Sequence, residues 1–347
     1  MRIAADAMGG DHGCQVVIDG LLQALEQHSQ IEYILVVGDK SQLGQALGQA
    51  GNSDSRIEII HAPEILTMDD KPVEGLRRKK NCSLAVAMDL VKRGDADAII
   101  SPGNTGGMVA GASIKLRTLP GVDRPGIAAV CPRNDGNFIL LDAGASVDGK
   151  PRHLMHYAIM GDIYAREVLG VSRPRVGLLS VGTEANKGDE LTQEAFNLCR
   201  ELDLDFIGNV EGHDLFHNGL DVVVCNGFVG NVVLKSCESL ATSMMDWLKA
   251  ELTAGPVRKL GATLAKDAFR ALKNRVDPDN IGGAPLLGVN GTVTICHGSA
   301  GARAIRNAVC NTVEAVDHHI NELIVDAVAK ANDNLVTTAT EPVAAEA

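Results

Sequence analysis

Short apolar stretches recur along this chain, each running into a glycine-rich or polar turn and then a helical pattern, and this alternation restricts the fold more than any other feature. Repeated strand–turn–helix units are the signature of parallel strands joined by crossover helices. Strands are expected at 3–6, 33–37, 57–61, 98–101, 138–142, 176–180, 205–210, 221–225 and 293–297. Several, such as DAIIS, FILLD and DVVVC, are apolar nearly throughout, as strands covered on both faces must be. Helices are expected at 15–27, 84–93, 153–169, 190–201, 229–252 and 300–329. The chain therefore reads as α/β, a mostly parallel sheet sandwiched by helices. Residues 1–331 form one large domain in this reading, and 332–347, rich in Ala, Thr and Glu, form a fraying, disordered tail.

Composition narrows the function classes. The 44 acidic residues outnumber the 32 basic ones, giving a formal charge of −12, which argues against a protein that coats nucleic acid. Eight cysteines occur singly with no C-x-x-C pair, a pattern of buried thiols in a reducing cytoplasm. No apolar run reaches the roughly 18 residues needed to span a bilayer. The opening MRIAADAMGGDHG breaks into Asp and Gly where a signal peptide needs its apolar core, so a cytoplasmic protein is expected.

In a parallel sheet, ligands bind beyond the carboxyl ends of the strands. The turns there are DAMGGDHG, which carries Asp6 and His12, then SPGNTGG, DAGASVDGKP, SVGTEANKGDE and CNGFVGN. SPGNTGG, Ser101–Gly107, offers three glycines with Asn104 and Thr105 at a strand-to-helix junction, where main-chain N–H groups can face an oxyanion. Taken alone it reads equally as a tight turn; five such turns on one edge point to a phosphate or other anion site. GASVDGKP follows Walker spacing until Pro151 takes the place of the magnesium-holding Ser or Thr, which disfavours a nucleoside triphosphatase. Gly9, Gly10 and Gly13 have the wrong spacing for a dinucleotide fingerprint.

Nucleophile and metal signatures also fail. HGSAG is not G-x-S-x-G, so Ser299 is expected as a helix N-cap. The His153/His156 and His318/His319 pairs lack matching carboxylates or cysteines, so no metal and no cofactor are expected. What remains is polar. Lys187 in the GTEANKGDE turn, with Asn231 and Lys235 at the start of the helix after VVVC, suits a reaction in which phosphate attacks a carbonyl. Each of the three alone is more often a surface lysine or a cap; it is as a convergent group that they fit such a reaction.

At these residues the chain resembles the phosphate acyltransferases of bacterial phospholipid synthesis. The resemblance runs through IAADAMGGDHG, SPGNTGG, LLDAGASVDGKP, AIMGDIYA, GLLSVGTEANKGDE, FIGNVEG, NGFVGN, GGAPLLGVNG and ICHGS, nine blocks in one order. It implies transfer of a fatty acyl group from acyl carrier protein to inorganic phosphate, the acyl phosphate then serving a membrane glycerol-3-phosphate acyltransferase. It also implies a homodimer, peripheral membrane association and a fold like those of phosphotransacetylase and the isocitrate dehydrogenase group. Residues and resemblance together place phosphate against Ser101, Gly103, Asn104, Thr105 and Gly106, with Asp6, His12 and Lys187. Asn231 is then the expected oxyanion donor, supported by Asp142 and Lys235. The chain departs from the family pattern at Asn226, where an acidic residue is usual, at Ser146 and at Cys14.

Segment 249–275 carries seven basic residues against two acidic ones, interleaved with apolar residues at helical spacing. It reads as a membrane-surface or acidic-partner face, or as an ordinary solvated helix face. Two other classes remain open on the residues alone: a dehydrogenase sharing the layout, and a phosphate- or lipid-sensing scaffold.

Overall fold

The computed structural model describes residues 1–51, 54–217 and 219–340. Its strands divide between two sheets. The first has the spatial order β3 (Ile57–His61), β2 (Tyr33–Gly38), β1 (Arg2–Asp6), β4 (Ala98–Ser101), β12 (Thr292–Ile295), β11 (Ala284–Leu287) and β5 (Gly126–Ile127). The second has the order β6 (Ala129–Arg133), β7 (Gly136–Leu141), β10 (Val222–Val224), β8 (Arg175–Leu179) and β9 (Asp205–Val210). All nine expected strands form. Pairing is parallel except for the β11–β12, β5–β11 and β6–β7 ladders.

The helices are α1 (Cys14–Gln27), α2 (Lys40–Gln49), α3 (Pro72–Arg78), α4 (Ser83–Arg93), α5 (Thr105–Gly111), α6 (Pro151–Glu167), α7 (Glu190–Arg200), α8 (Gly227–Thr253), α9 (Pro256–Leu264), α10 (Lys266–Val276), α11 (Ala302–Asp317) and α12 (Ile320–Thr340). The side chains of β1 show why the first sheet is filled on both faces. Ile3 and Ala5 join α1 and α11 in one apolar cluster, while Ala4 joins α4 and α5 in another, as the two-residue period of a strand demands.

The second sheet is covered unevenly. One face is packed by α6, α7 and α12 around Tyr157 and Tyr164. Among the described residues, the other meets Leu215, Phe216, Leu220 and, from α8, Val233 and Leu234, over Phe138, Leu140 and Val223. The sheets share their packing: Leu287 of the first belongs to the cluster around α6, and the Ala128 N–H donates to the Pro285 carbonyl at 2.9 Å where the chain steps from β5 to β6.

Three strands went unanticipated, and proline accounts for two of them. Pro132 interrupts β6 and Pro285 interrupts β11. Strand β6 lies at the edge of its sheet, where a missing N–H is tolerated. Two further corrections concern the C-terminal region. The helix expected over 300–329 is two helices, broken at His318–His319, where His319 has a left-handed φ of 51°. Residues 332–340, expected to fray, continue α12, and the rest of that expected tail lies outside the described residues. Of the cysteines, Cys82, Cys199, Cys225 and Cys296 are buried and the other four only partly so.

Candidate active site

At the carboxyl edge of the first sheet, Asp6 is buried. It accepts from the Met8 N–H at 3.1 Å and from the Ser101 hydroxyl at 2.7 Å. Burial pushes its carboxyl above the ordinary carboxylate range, and the Ser83 and Ser101 hydroxyls pull it back. Ser101 Oγ also accepts from the Gly103 N–H at 3.0 Å. A Cβ on Gly9 would lie 2.4 Å from the Gly103 Cα, so the first and fourth strands' turns touch main chain to main chain and neither glycine is replaceable without a shift.

Asn104 is committed to holding the turn. Its side-chain oxygen accepts from the Gly107 N–H at 2.8 Å, capping α5, and its NH₂ donates to the Thr67 and Met68 carbonyls at 3.1 and 3.2 Å. Asp70, which closes that neighbouring loop, accepts from the Thr67 N–H at 2.8 Å and from the Lys79 ammonium; these donors hold its carboxyl at about 2. Thr105 and His12 are exposed and Gly106 half-buried. The adjoining turn corrects one expectation. Helix α11 is preceded by Gly301 as its N-cap, and Ser299 Oγ instead sits 2.7 Å from His297 Nδ1. Sequence templates for nucleophiles dismissed this pair; two residues' separation around Gly298 was its only signal.

At the second sheet's carboxyl edge, Asp142 is wholly buried. One oxygen accepts N–H groups from Ile127, Gly144 and Ala145 at 2.9, 2.9 and 2.8 Å; the other accepts from Ser146 at 2.9 Å. Burial raises its carboxyl above the ordinary range while these four donors favour the ionised form. The N-terminus of α8 approaches this loop without side chains. A Cβ on Gly227 would lie 2.4 Å from an Asp142 carboxylate oxygen, and one on Gly230 only 1.9 Å from the Asp142 carbonyl. Asn226 caps α8, its side-chain oxygen accepting from the Val229 N–H at 2.9 Å.

Asn231 is exposed and lies against the Asp142 loop: a Cβ on Gly144 would stand 3.3 Å from its Cβ and Cγ. Lys235, one turn along, is paired with Glu238 at 3.0 Å on an exposed face. Lys187 is exposed, its stem folded over Gly182, in a turn anchored by the Asn209 amide donating to the Glu184 carbonyl at 2.8 Å. Leu191, at the start of α7, and Asn226 both close on Gly149, which ties the 142–149 loop to the first turn of α7 and to the N-cap of α8.

The expected residues thus form two groups. Asp6, His12 and the Ser101–Gly106 turn stand on one sheet edge, and Asp142, Lys187, Asn231 and Lys235 on the other. Their supports meet: Ile127 donates to Asp142 and its carbonyl accepts from Ala143 at 2.9 Å, and Ala143, Ala145 and Leu234 pack in the same cluster as Leu66 and Met108 beneath the 101–107 turn. Among the described residues, no hydrogen bond or ion pair joins that turn to Lys187 or Asn231, and no three His, Cys, Asp or Glu side chains gather as a metal site. No helix of the described residues is long and apolar enough to cross a membrane.

Comparison with known proteins agrees with this architecture. Solved structures similar to it include a phosphotransacetylase from Streptococcus pyogenes (TM-score 0.59, 16% identity, 96% of this chain and 94% of that one). Another is the EutD phosphotransacetylase from Staphylococcus aureus (TM-score 0.57, 17% identity, 92% and 94%). At these identities they establish the α/β fold expected. A curated relative, the phosphate acyltransferase of Pelotomaculum thermopropionicum, is 45% identical over 322 residues, 93% of each chain. That of Akkermansia muciniphila is 45% identical over 336 residues, 95% of this chain and 96% of its own. The model of the fatty acid synthesis protein family matches residues 1–323. Spanning almost its entire length, that match and these relatives establish that the chain belongs to this family, whose members here carry the name phosphate acyltransferase.

Proposed function

We propose that the chain transfers a fatty acyl group from the thioester of acyl carrier protein to inorganic phosphate, and that the acyl phosphate passes to a membrane glycerol-3-phosphate acyltransferase in phosphatidic acid synthesis. The relatives' name supports phosphate as acceptor, and the family's description supports a fatty acyl donor. The observation that carries the reading is Asn231 resting on a loop whose main chain is fixed by Asp142, with Leu191, at the start of the helix that follows the Lys187 turn, packed on the same loop. A phosphate oxygen attacks the thioester carbon, the C–S bond breaks, and the departing thiolate takes up the proton that phosphate releases. Asn231 donates its NH₂ to the carbonyl oxygen as charge builds there. Lys187 offsets the phosphate charge, and Asp142, already saturated, acts by positioning.

Exposed apolar residues fit the remaining partners. Phe228, Val232 and Trp247 on α8 offer a face to a second copy, giving a homodimer. Val257, Leu260 and Leu264 project from α9, beside Lys259 and Lys266, which have no ion pair among the described residues. These suit the anionic leaflet, and the surrounding cations suit the acidic carrier.

The test incubates the protein with acyl carrier thioester and phosphate. Free carrier thiol and acyl phosphate should appear in equal amounts, and thiol without acyl phosphate would refute the reading. Asn231→Ala should lower turnover roughly 10²–10³-fold, while Lys187→Ala should mainly raise the phosphate concentration required.

A further inference from the structure

The thinly covered face of the second sheet leaves a cavity of about 1530 Å³. Its floor is Val130, Phe138 and Leu140, the latter two fully buried in the sheet. One wall is the inward stripe of α8, where Leu234, Ala241, Met245 and Leu248 recur at helical spacing. Phe269 and Val276 of α10 face them. Protein interiors are normally packed to the density of organic crystals, yet here large apolar side chains such as Met245, Leu248 and Phe269 line a space they do not fill, and the chain's single tryptophan, Trp247, is outside it and 63% exposed. The space also exceeds the roughly 300–1,000 Å³ of ordinary small-ligand pockets.

The ends of the cavity differ from its middle. His297 and Ser299 line one part, and Leu234 lies one helical turn from Asn231, so the apolar channel opens beside the proposed oxyanion donor. Lys249 at the end of α8 and Lys266, Arg270 and Lys273 on α10 line it elsewhere. We propose that this channel is the binding site for the acyl chain of the substrate, a long unbranched hydrocarbon whose thioester end sits at Asn231. The inference rests on the transferase reading above. It favours a hydrocarbon over a second copy of the chain because floor and walls all come from one molecule and the floor is a buried sheet face.

Ala241→Trp fills the channel, Ala241→Leu narrows it with less risk to folding, and Glu26→Trp places the same bulk on an exposed face of α1, away from the channel and from the α8 face. Acyl phosphate formation is compared for palmitoyl and butyryl thioesters, and direct binding is read with a fluorescent long-chain fatty acid. Ala241→Trp should cut both palmitoyl kcat/KM and probe affinity at least about tenfold with butyryl turnover within about twofold, Ala241→Leu should fall between, and Glu26→Trp should match the unaltered protein. Equal losses for both chain lengths, undiminished probe binding, or dissociation of a dimer with probe binding intact would overturn the assignment. Absence of acyl phosphate from every thioester would instead remove the transferase reading, leaving the channel to be judged by the probe.

Discussion

Asp6 and Asp142 hold matching places, each buried at the carboxyl end of a strand, one in each sheet, yet they are satisfied differently. Asp142 accepts four main-chain N–H groups from two separate segments. Asp6 accepts one, with hydroxyls supplying the rest. Main-chain donors cannot turn away, whereas a serine hydroxyl can rotate. The second edge is therefore a fixed platform for Asn231 and α8, and the first is an edge whose hydrogen bonds can be rearranged.

The largest break in this comparison is Asp142→Ala. It strands four donors, three of them in one loop, and should cost about 3–5 kcal/mol in urea unfolding, with loss of acyl transfer. A cost near zero would mean that the loop has other support. Asp6→Asn should cost less, about 1–2 kcal/mol, because a hydroxyl can redirect to the amide oxygen. Its pH dependence sharpens the contrast. The Asp6 carboxyl is raised in the folded state, so its stabilising contribution is complete below the ordinary carboxylate pKa and is lost as pH rises through the folded value. The stability gap between the native chain and Asp6→Asn should accordingly narrow across that rise.

Asp70→Asn is the smallest effect and runs the other way. With its carboxyl held at about 2, its contribution is present above the ordinary carboxylate pKa and disappears as pH falls towards 2. Unfolding of the two proteins should differ at neutral pH and converge in acid. A constant difference across that range would detach Asp70 from the support of the Asn104 turn.

The parallel strands and their turns were legible because fully apolar runs such as VVVC ending in glycine-rich loops have few other uses. Strand β6 was not, although Asn134 and Asp135 form a two-residue hairpin turn before Gly136, a signal overshadowed by Pro132. Of the candidate site, the positions of Asp6 and Asp142 were readable, since each directly follows an apolar run. Their opposite ways of being satisfied were not. Nor could spacing reveal that Asn104 spends its side chain on the 67–70 loop, since those contacts are 34 to 37 residues distant.

Neither α9 nor α10 contributes a buried side chain. Amide hydrogens in these two helices should exchange with solvent well before those of β7 or β10, because opening them forfeits little apolar contact. A hydrocarbon many bonds long cannot thread end-on into a sealed space at a useful rate. In the proposed channel, α9 and α10 are the elements whose opening would admit such a chain, and the buried sheet floor of Phe138 and Leu140 would keep its shape as they open.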